Sequence, residues 1–369
     1  MPITDYITLG NTGLRVSPLC LGTMTFGTEW GAVGTTIEES LDVLTAYLSR
    51  GGNFLDTANV YTIGHSEKII GDYFNTGPGK GTRDRVVIAT KFCGNLHPND
   101  PNGGGAGRKA IIHQVEDSLR RLQTDHIDLL WAHFHDQHTP IEETMRTMDQ
   151  LVQDGKVRYI GFSDHPAWVC VKAHHIAMLR NWEPLAAIQL EYSLIQRTAE
   201  EALIPMAMDL GLGVTPWSPL RGGVLSGKFT RDSRPPVADT RVAIDSPHLN
   251  DKAYDLVDEL KAIAETHNAT PAKVALNWVQ TQPGVTSTII GAKRLSQLED
   301  NLGALDFTLT SEQRQSLDDL STFDKHFPHN FLDRIPPAIQ NGTTINQLQS
   351  DPWTIGPQTP QERTVHIPD

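Results

Sequence analysis

The chain has 369 residues, and 31 Lys and Arg stand against 44 Asp and Glu, a formal charge of −13. That balance, with no basic run longer than two residues, argues against a nucleic-acid partner, which needs a cationic face to displace counterions from phosphates. Hydrophobic residues at 38% and 30 glycines are the composition of a globular chain rather than a disordered one.

The start, MPITDYITLG, has neither a basic nor an apolar leader region, and no apolar stretch approaches the roughly 18 residues of a membrane span. Three cysteines, Cys20, Cys93 and Cys170, suit a reducing compartment better than a disulfide framework, so the expectation is a soluble cytoplasmic protein with no membrane partner. Next, Tyr6 to Leu14 contains the turn-like GNTG and predicts a short hairpin. Eight apolar runs rich in β-branched residues then predict strands: VSPLCLG from Val16, NFLD from Asn53, VVIATK from Val86, IDLLWAH from Ile127, VRYIGFS from Val157, AAIQLEY from Ala186, LGVTPW from Leu212 and VTSTIIG from Val285. Segments between them have helical periodicity, with one apolar stripe of Leu41, Leu44, Tyr47 and Leu48 and another of Ile112, Val115, Leu119 and Leu122. Thr36 with Glu39, and Thr139-Pro140 with Glu142, read as capping boxes; Thr270-Pro271 reads as an N-cap followed by the first helical position.

Strands alternating with helices pair in parallel, because a parallel neighbour is reached only through a long crossover. Eight such units predict an α/β fold closed into a (β/α)8 barrel, with the hairpin across its bottom. The rival open sheet would carry a GxGxxG turn after its first strand, and Leu21-Gly22-Thr23-Met24 offers none. Two long loops interrupt the repeat, Asn95 to Gly107 and Lys228 to Asn250, and loops of that length are uncommon without a function. Residues 1–324 are expected to form the barrel. Residues 325–369, poor in periodicity and rich in Pro, Gln, Asn and Thr, are expected to form a C-terminal extension packed on it or partly disordered.

In such a barrel the chemistry collects at the carboxyl ends of the strands. There the second strand ends at Asp56 and runs into Tyr61, the third reaches Lys91 and the fourth leads to His133. Singly these residues read as a helix cap, a packing ring, a rim charge and a core imidazole. Together on three successive strands they can converge on one point. An ammonium beside a phenol is expected to stabilise the phenolate and lower its pKa, a carboxylate holds the ammonium charged, and an imidazole fixes an oxygen acquiring negative charge. Such a set needs a hydride source.

The spans NFLDTANVY with GHSEKIIG, VVIATK, IDLLWAH, GKVRYIGFS, IQLEYSLIQR, PWSPLRGGVLSGK and IIGAKRLSQLEDNLGA resemble, in order, the aldo-keto reductase family from about Tyr6 to Phe307. The resemblance implies a TIM barrel that uses NADP(H) without a Rossmann domain. It implies Asp56, Tyr61, Lys91 and His133 as the catalytic tetrad, with Tyr61 the acid in reduction and the base in alcohol oxidation. It also implies Ser163, Asp164 and Gln189 at the nicotinamide carboxamide, though Asp164 stands where the family has Asn and so lacks the amide donors. Trp217 matches the residue stacked on the ring.

After the seventh strand, Ser218, Pro219, Leu220, Gly223, Gly227 and Lys228 belong to a glycine-rich loop suited to the cofactor pyrophosphate, since small residues let backbone N–H groups approach an anion. After the eighth, Gly291 to Asn301 opens a helix whose N-terminus favours phosphate. There the resemblance implies Lys293, with Arg294 beside it, at the 2′-phosphate of NADP, and Gln297 and Asn301 at adenine. Met24, Trp30, Phe92, Phe134 and His135 are expected to shape the pocket for a small carbonyl or alcohol substrate whose identity is not legible. Cys93 reads as a buried, inert thiol. Nothing in the sequence sets the oligomeric state.

Two other classes compete. His133 and His135 form an HxH that a zinc-dependent hydrolase could use, because alternate strand residues face one way. A redox-sensing regulatory subunit on the same barrel is the other, and the intact tetrad weighs against it.

Overall fold

In the computed structural model, residues 1–233, 235 and 246–353 are described. Contacts divide the chain into two compact units, one spanning Met1–Thr322 and one that begins at Phe323.

In the first unit, β1 (Ile7–Thr8) and β2 (Arg15–Val16) pair as an antiparallel hairpin. Then follow β3 (Leu19–Gly22), α1 (Ile37–Ser49), β4 (Phe54–Asp56), α2 (His65–Asn75), β5 (Val87–Phe92), α3 (Arg108–Leu122), β6 (Ile127–Ala132) and α4 (Ile141–Gln153). After these come β7 (Val157–Ser163), α5 (Ala167–Arg180), β8 (Leu185–Glu191), α6 (Leu203–Leu210), β9 (Gly213–Trp217), α7 (Asp251–Thr266), α8 (Pro271–Gln280), β10 (Thr288–Gly291), α9 (Leu295–Leu302) and α10 (Ser311–Leu320). Strands β3 to β10 form one eight-stranded parallel sheet in the order β10-β3-β4-β5-β6-β7-β8-β9. It closes through a bridge between Val214 and Val285, beside which the Thr286 N–H donates to the Val214 carbonyl at 2.8 Å. The fold is a (β/α)8 TIM barrel. In the second unit, α11 (His329–Leu332) and α12 (Pro336–Gln340) precede a small antiparallel hairpin of β11 (Thr344–Ile345) and β12 (Leu348–Gln349). The last part of the expected extension, residues 354–369, lies outside the described residues, as do Pro236 and its neighbours in the second long loop.

Strand alternation sorts the side chains into two cores. Cys20, Phe54, Val87, Ala89, Leu129, Trp131, Ala187 and Ile289 fill the barrel, whereas Leu55, Ile88, Phe92, Leu130, Ile160 and Phe162 face the helices. Trp131 is fully buried and fits because Gly161 opposite has no side chain: a Cβ there would lie 2.4 Å from the indole. The hairpin closes the bottom. Leu9 joins the barrel core, and the positive φ of Gly10 (+58°) brings its backbone against Ala186, Gly211 and Gly213, where a Cβ would lie 2.5–2.7 Å from main-chain atoms.

Several local expectations change. The run from Val16 splits, Val16 going to the hairpin and Leu19–Gly22 to the barrel. The buried stripe of α3 contains Ile111, Val115, Leu119 and Leu122, while Ile112 is exposed, because Ile111 is the residue one turn before Val115. Thr36 and Glu39 do form a capping box, and Thr270 caps α8 with Pro271 behind it. Thr139 does not cap α4; its hydroxyl donates instead to Asp136 at 2.7 Å.

Candidate active site

Asp56, Lys91 and Gln189 all point into the barrel above Trp131, because each stands an even number of positions from an inward residue of its own strand: Phe54, Val87 and Ala187. Lys91 Nζ lies 2.5 Å from Asp56 Oδ2, donates to the Thr57 carbonyl at 2.8 Å and reaches the Tyr61 hydroxyl at 3.0 Å. The other carboxylate oxygen accepts from Gln189 Nε2 at 2.9 Å. Both charged side chains are almost fully buried, at 0% and 3% exposure, so each would be costly without the other.

Tyr61 comes from a tight turn. The loop after β4 is stitched to β5 by the N–H groups of Thr57 and Asn59, which donate to the carbonyls of Ala89 and Lys91. Beyond Tyr61 the backbone enters the left-handed region at Thr62 (φ +46°) and Ile63 (φ +58°), two β-branched residues that rarely adopt it. The Thr62 hydroxyl anchors the turn by donating to the Phe26 carbonyl at 2.7 Å and accepting from the Ser66 N–H at 3.0 Å. Strain of this kind costs on the order of 1–3 kcal/mol per residue and is held only by surrounding structure. His133 meets the Tyr61 ring edge-on at 5.9 Å, and Trp30 meets it at 6.2 Å.

Burial raises the Tyr61 phenol above its usual value; Lys91 pulls it down, but by less. The expected lowering is therefore corrected: desolvation outweighs the ammonium, and the phenol keeps its proton through neutral pH. For Lys91 burial pulls the other way, yet Asp56 and Tyr61 together hold the ammonium above its usual value. Burial, with some help from Lys91, drives His133 down to about 2, so its imidazole is neutral.

These groups border a cavity of about 1330 Å³ that runs on to the start of α9. Met24, Trp30, Asp56, Tyr61, His133, Phe134, Ser163, Asp164, Gln189, Trp217, Ser218, Pro219, Leu220, Gly223, Lys228, Gly291, Lys293, Arg294, Gln297 and Asn301 all line it. Four expected residues do not, and of these Lys91 lies buried behind the lining, bonded to Asp56 and Tyr61. Phe92 faces the helices, as it must when its neighbour Lys91 faces in. His135 stands instead beside His165 and Trp168, with ring centroids at 5.5 and 6.2 Å. Gly227 takes φ +85° and packs against Pro271. Cys93 is buried and pushed up to about 11 by burial, an inert thiol.

At the far end no side chain caps α9. Gln297 accepts from the Lys293 N–H at 2.9 Å, and Asn301 donates to the Gly291 carbonyl at 3.1 Å. Lys293 Nζ also touches the Ala32 carbonyl. The Thr35 hydroxyl contacts both Glu39 (2.7 Å) and the Lys293 carbonyl (3.2 Å). Thr35 and Glu39 line the cavity, which sequence reasoning missed; the Thr36–Glu39 capping box signalled only a helix start. The zinc-type pairing of His133 and His135 does not form. β6 ends at Ala132, so alternation no longer governs the two rings, and among the described residues only His97, His113 and Asp117 bring three ligand-type atoms together.

Comparison with known proteins decides the family. The aldo/keto reductase family model matches residues 18–322. The chain belongs to the aldo/keto reductase family. It is 39% identical over 325 residues to the uncharacterized oxidoreductase YrpG of Bacillus subtilis, covering 86% of this chain and 95% of that protein. It is 34% identical to norsolorinic acid reductase of Aspergillus flavus, covering 95% and 88% of the two chains. It is 33% identical to aryl-alcohol dehydrogenase [NADP(+)] of Phanerodontia chrysosporium, covering 86% of each. This aldo/keto reductase is an oxidoreductase that works with a nicotinamide cofactor on carbonyl or alcohol groups. Among the described residues no helix is long and apolar enough to cross a membrane.

Proposed function

We propose that this enzyme interconverts an aryl aldehyde or ketone and its alcohol, using NADPH for reduction in the cytoplasm, with Tyr61 donating the proton to the carbonyl oxygen. The observation that carries this reading is the chain of contacts from Asp56 through Lys91 to the Tyr61 hydroxyl, 2.5 and 3.0 Å long, opening on the cavity.

The residues present fit the cofactor. The cavity reaches from Tyr61 to the start of α9, which has no side-chain cap and has Lys293 and Arg294 beside it, and Gly222 and Gly223 take φ of +65° and +98°, a backbone that exposes N–H groups to an anion. A bound nicotinamide supplies the hydride in reduction and accepts it in oxidation. Around it, Ser163, Asp164 and Gln189 would hold the carboxamide and Trp217 the ring face. Ser218, Pro219, Leu220, Gly223 and Lys228 would wrap the pyrophosphate, Lys293 and Arg294 would meet the 2′-phosphate, and Gln297 and Asn301 the adenine. Tyr61 holds its proton at the hydroxyl oxygen, and Lys91 stabilises the phenolate left when it is given up. His133, neutral, orients the carbonyl oxygen. Trp30 and Phe134 exclude water and favour a flat apolar substrate; Phe134 stacks on His133 at 4.0 Å and is about half exposed. The aryl-alcohol relative's name points the same way.

A screen of aromatic aldehydes with NADPH consumption as readout tests this; no consumption across the panel overturns it. Because the phenol lies above its usual value and the imidazole far below, the reduction rate is expected to stay flat from about pH 7 to 9. It should fall only as pH rises through the raised Tyr61 value, and an inflection near the ordinary histidine value would contradict a neutral His133. Replacing Lys293 and Arg294 together with Ala should raise the dissociation constant for NADPH by about 10²-fold, since two charge-assisted contacts are lost, and leave that for NADH nearly unchanged. Equal losses for the two cofactors would place the 2′-phosphate elsewhere.

A further inference from the structure

The cavity end that holds Tyr61 has an uneven charge. Asp56 and Lys91 cancel within one ion pair. His133 and Tyr61 are neutral, and Ser163 and Gln189 carry no charge at all. That leaves the carboxyl group of Asp164, which lines the same cavity just beyond the end of β7. Its Oδ1 accepts from the Trp217 indole N–H at 3.0 Å, and its Oδ2 from the Ser163 hydroxyl at 3.3 Å. Both oxygens thus accept, the pattern of an ionised carboxylate; burial raises the group above its usual carboxylate value, while Trp217, Ser163 and the Lys91 ammonium pull it down. The backbone holds it in place: Asp164 sits at φ +53°, and its N–H donates to the Gln189 carbonyl at 3.0 Å. Other charged groups lining the cavity belong to different surroundings. Glu39 is tied through Thr35 to Lys293 beside Arg294, Asp300 accepts from Thr270, and Lys228 lies against Gly223.

We propose that Asp164 biases the bound cofactor toward its oxidised form. The inference rests on the reading that a nicotinamide occupies this end of the cavity next to Tyr61. The oxidised ring is a pyridinium cation, whereas the reduced ring is neutral, and the adenine, ribose and phosphate portions are the same in both. A negative charge beside the ring therefore acts on the difference between the two forms, the more so because a ring seated there would cover Asp164, which is exposed in the open cavity. At the effective dielectric of a partly buried site, one unit charge at contact range shifts that difference by about tenfold or more in relative affinity. A tenfold bias lowers the two-electron potential of the bound couple by about 30 mV, which makes the bound reduced form the stronger hydride donor to a carbonyl.

Asp164→Asn removes the charge and keeps the shape. The Asn carbonyl oxygen still accepts from Trp217, and its amide can donate to the Ser163 hydroxyl. Dissociation constants for NADP⁺ and for NADPH would be measured on the full chain by quenching of intrinsic tryptophan fluorescence, without turnover. The expected result is that the preference for NADP⁺ over NADPH falls about tenfold in the variant. An unchanged ratio, even with both affinities altered, overturns the proposal. Asp164→Ser, neutral and smaller, gives the same measurement if the Asn variant does not fold. Wild-type protein that binds neither form would instead defeat the reading of the cavity as a cofactor site.

Discussion

Replacing Tyr61 with Phe is expected to lower the turnover number for carbonyl reduction by about 10² to 10⁴, while the dissociation constant for NADPH stays within about twofold. Only the hydroxyl leaves. The ring keeps its edge contacts with Trp30 and His133 and its place 4.6 Å below the Lys91 ammonium, so the turn and the cavity wall persist. Steady-state rates with a saturating aldehyde, beside a fluorescence titration of NADPH, separate the two quantities. Near-normal turnover in the Phe variant would show that the proton comes from elsewhere.

Replacing Lys91 with Met should cost about 3–5 kcal/mol of stability in addition to activity, because Asp56 is left charged and unpaired with only 3% of its side chain exposed. The double variant Lys91→Met, Asp56→Asn should recover most of that stability and none of the turnover, since a neutral amide can still accept from Gln189. Urea denaturation read by circular dichroism measures both. A single variant as stable as the parent would mean that the carboxylate is solvated or protonated. The sign of the pH effect follows from the raised Lys91 value. The pair's contribution is fully present below the unfolded lysine value of about 10.4 and is lost only as pH climbs through the folded one, so acid down to neutrality leaves it intact.

Much of this was legible in the chain because period-2 alternation governs both burial and chemistry. Asp56 and Lys91 could be placed at strand ends from the pattern alone, Gln189 only through the family resemblance, and the same alternation should have removed Phe92 from the pocket, since a residue next to an inward Lys faces out. Desolvation was not legible. The upward shift of Tyr61 depends on how much surrounds it, which spacing does not encode, and the ammonium alone suggested the opposite direction. Nor was the contribution of Thr35 and Glu39, which reach the cavity because the segment before α1 crosses over Lys293, a contact across 258 residues of sequence. His135 failed for a different reason: the strand stops one residue before His133, and past that point its side chains obey the loop.

The barrel is riveted unevenly. β5 and β6 run together from Ala89 to Phe92, and β6 and β7 from Ile127 to Ala132, whereas β9 meets β10's approach at one bridge, Val214 with Val285. Thermal fluctuations open a structure first where the fewest bonds must break together. Opening is therefore expected to begin beside Thr286, across the cylinder from Lys91, whose strand keeps its register against β6.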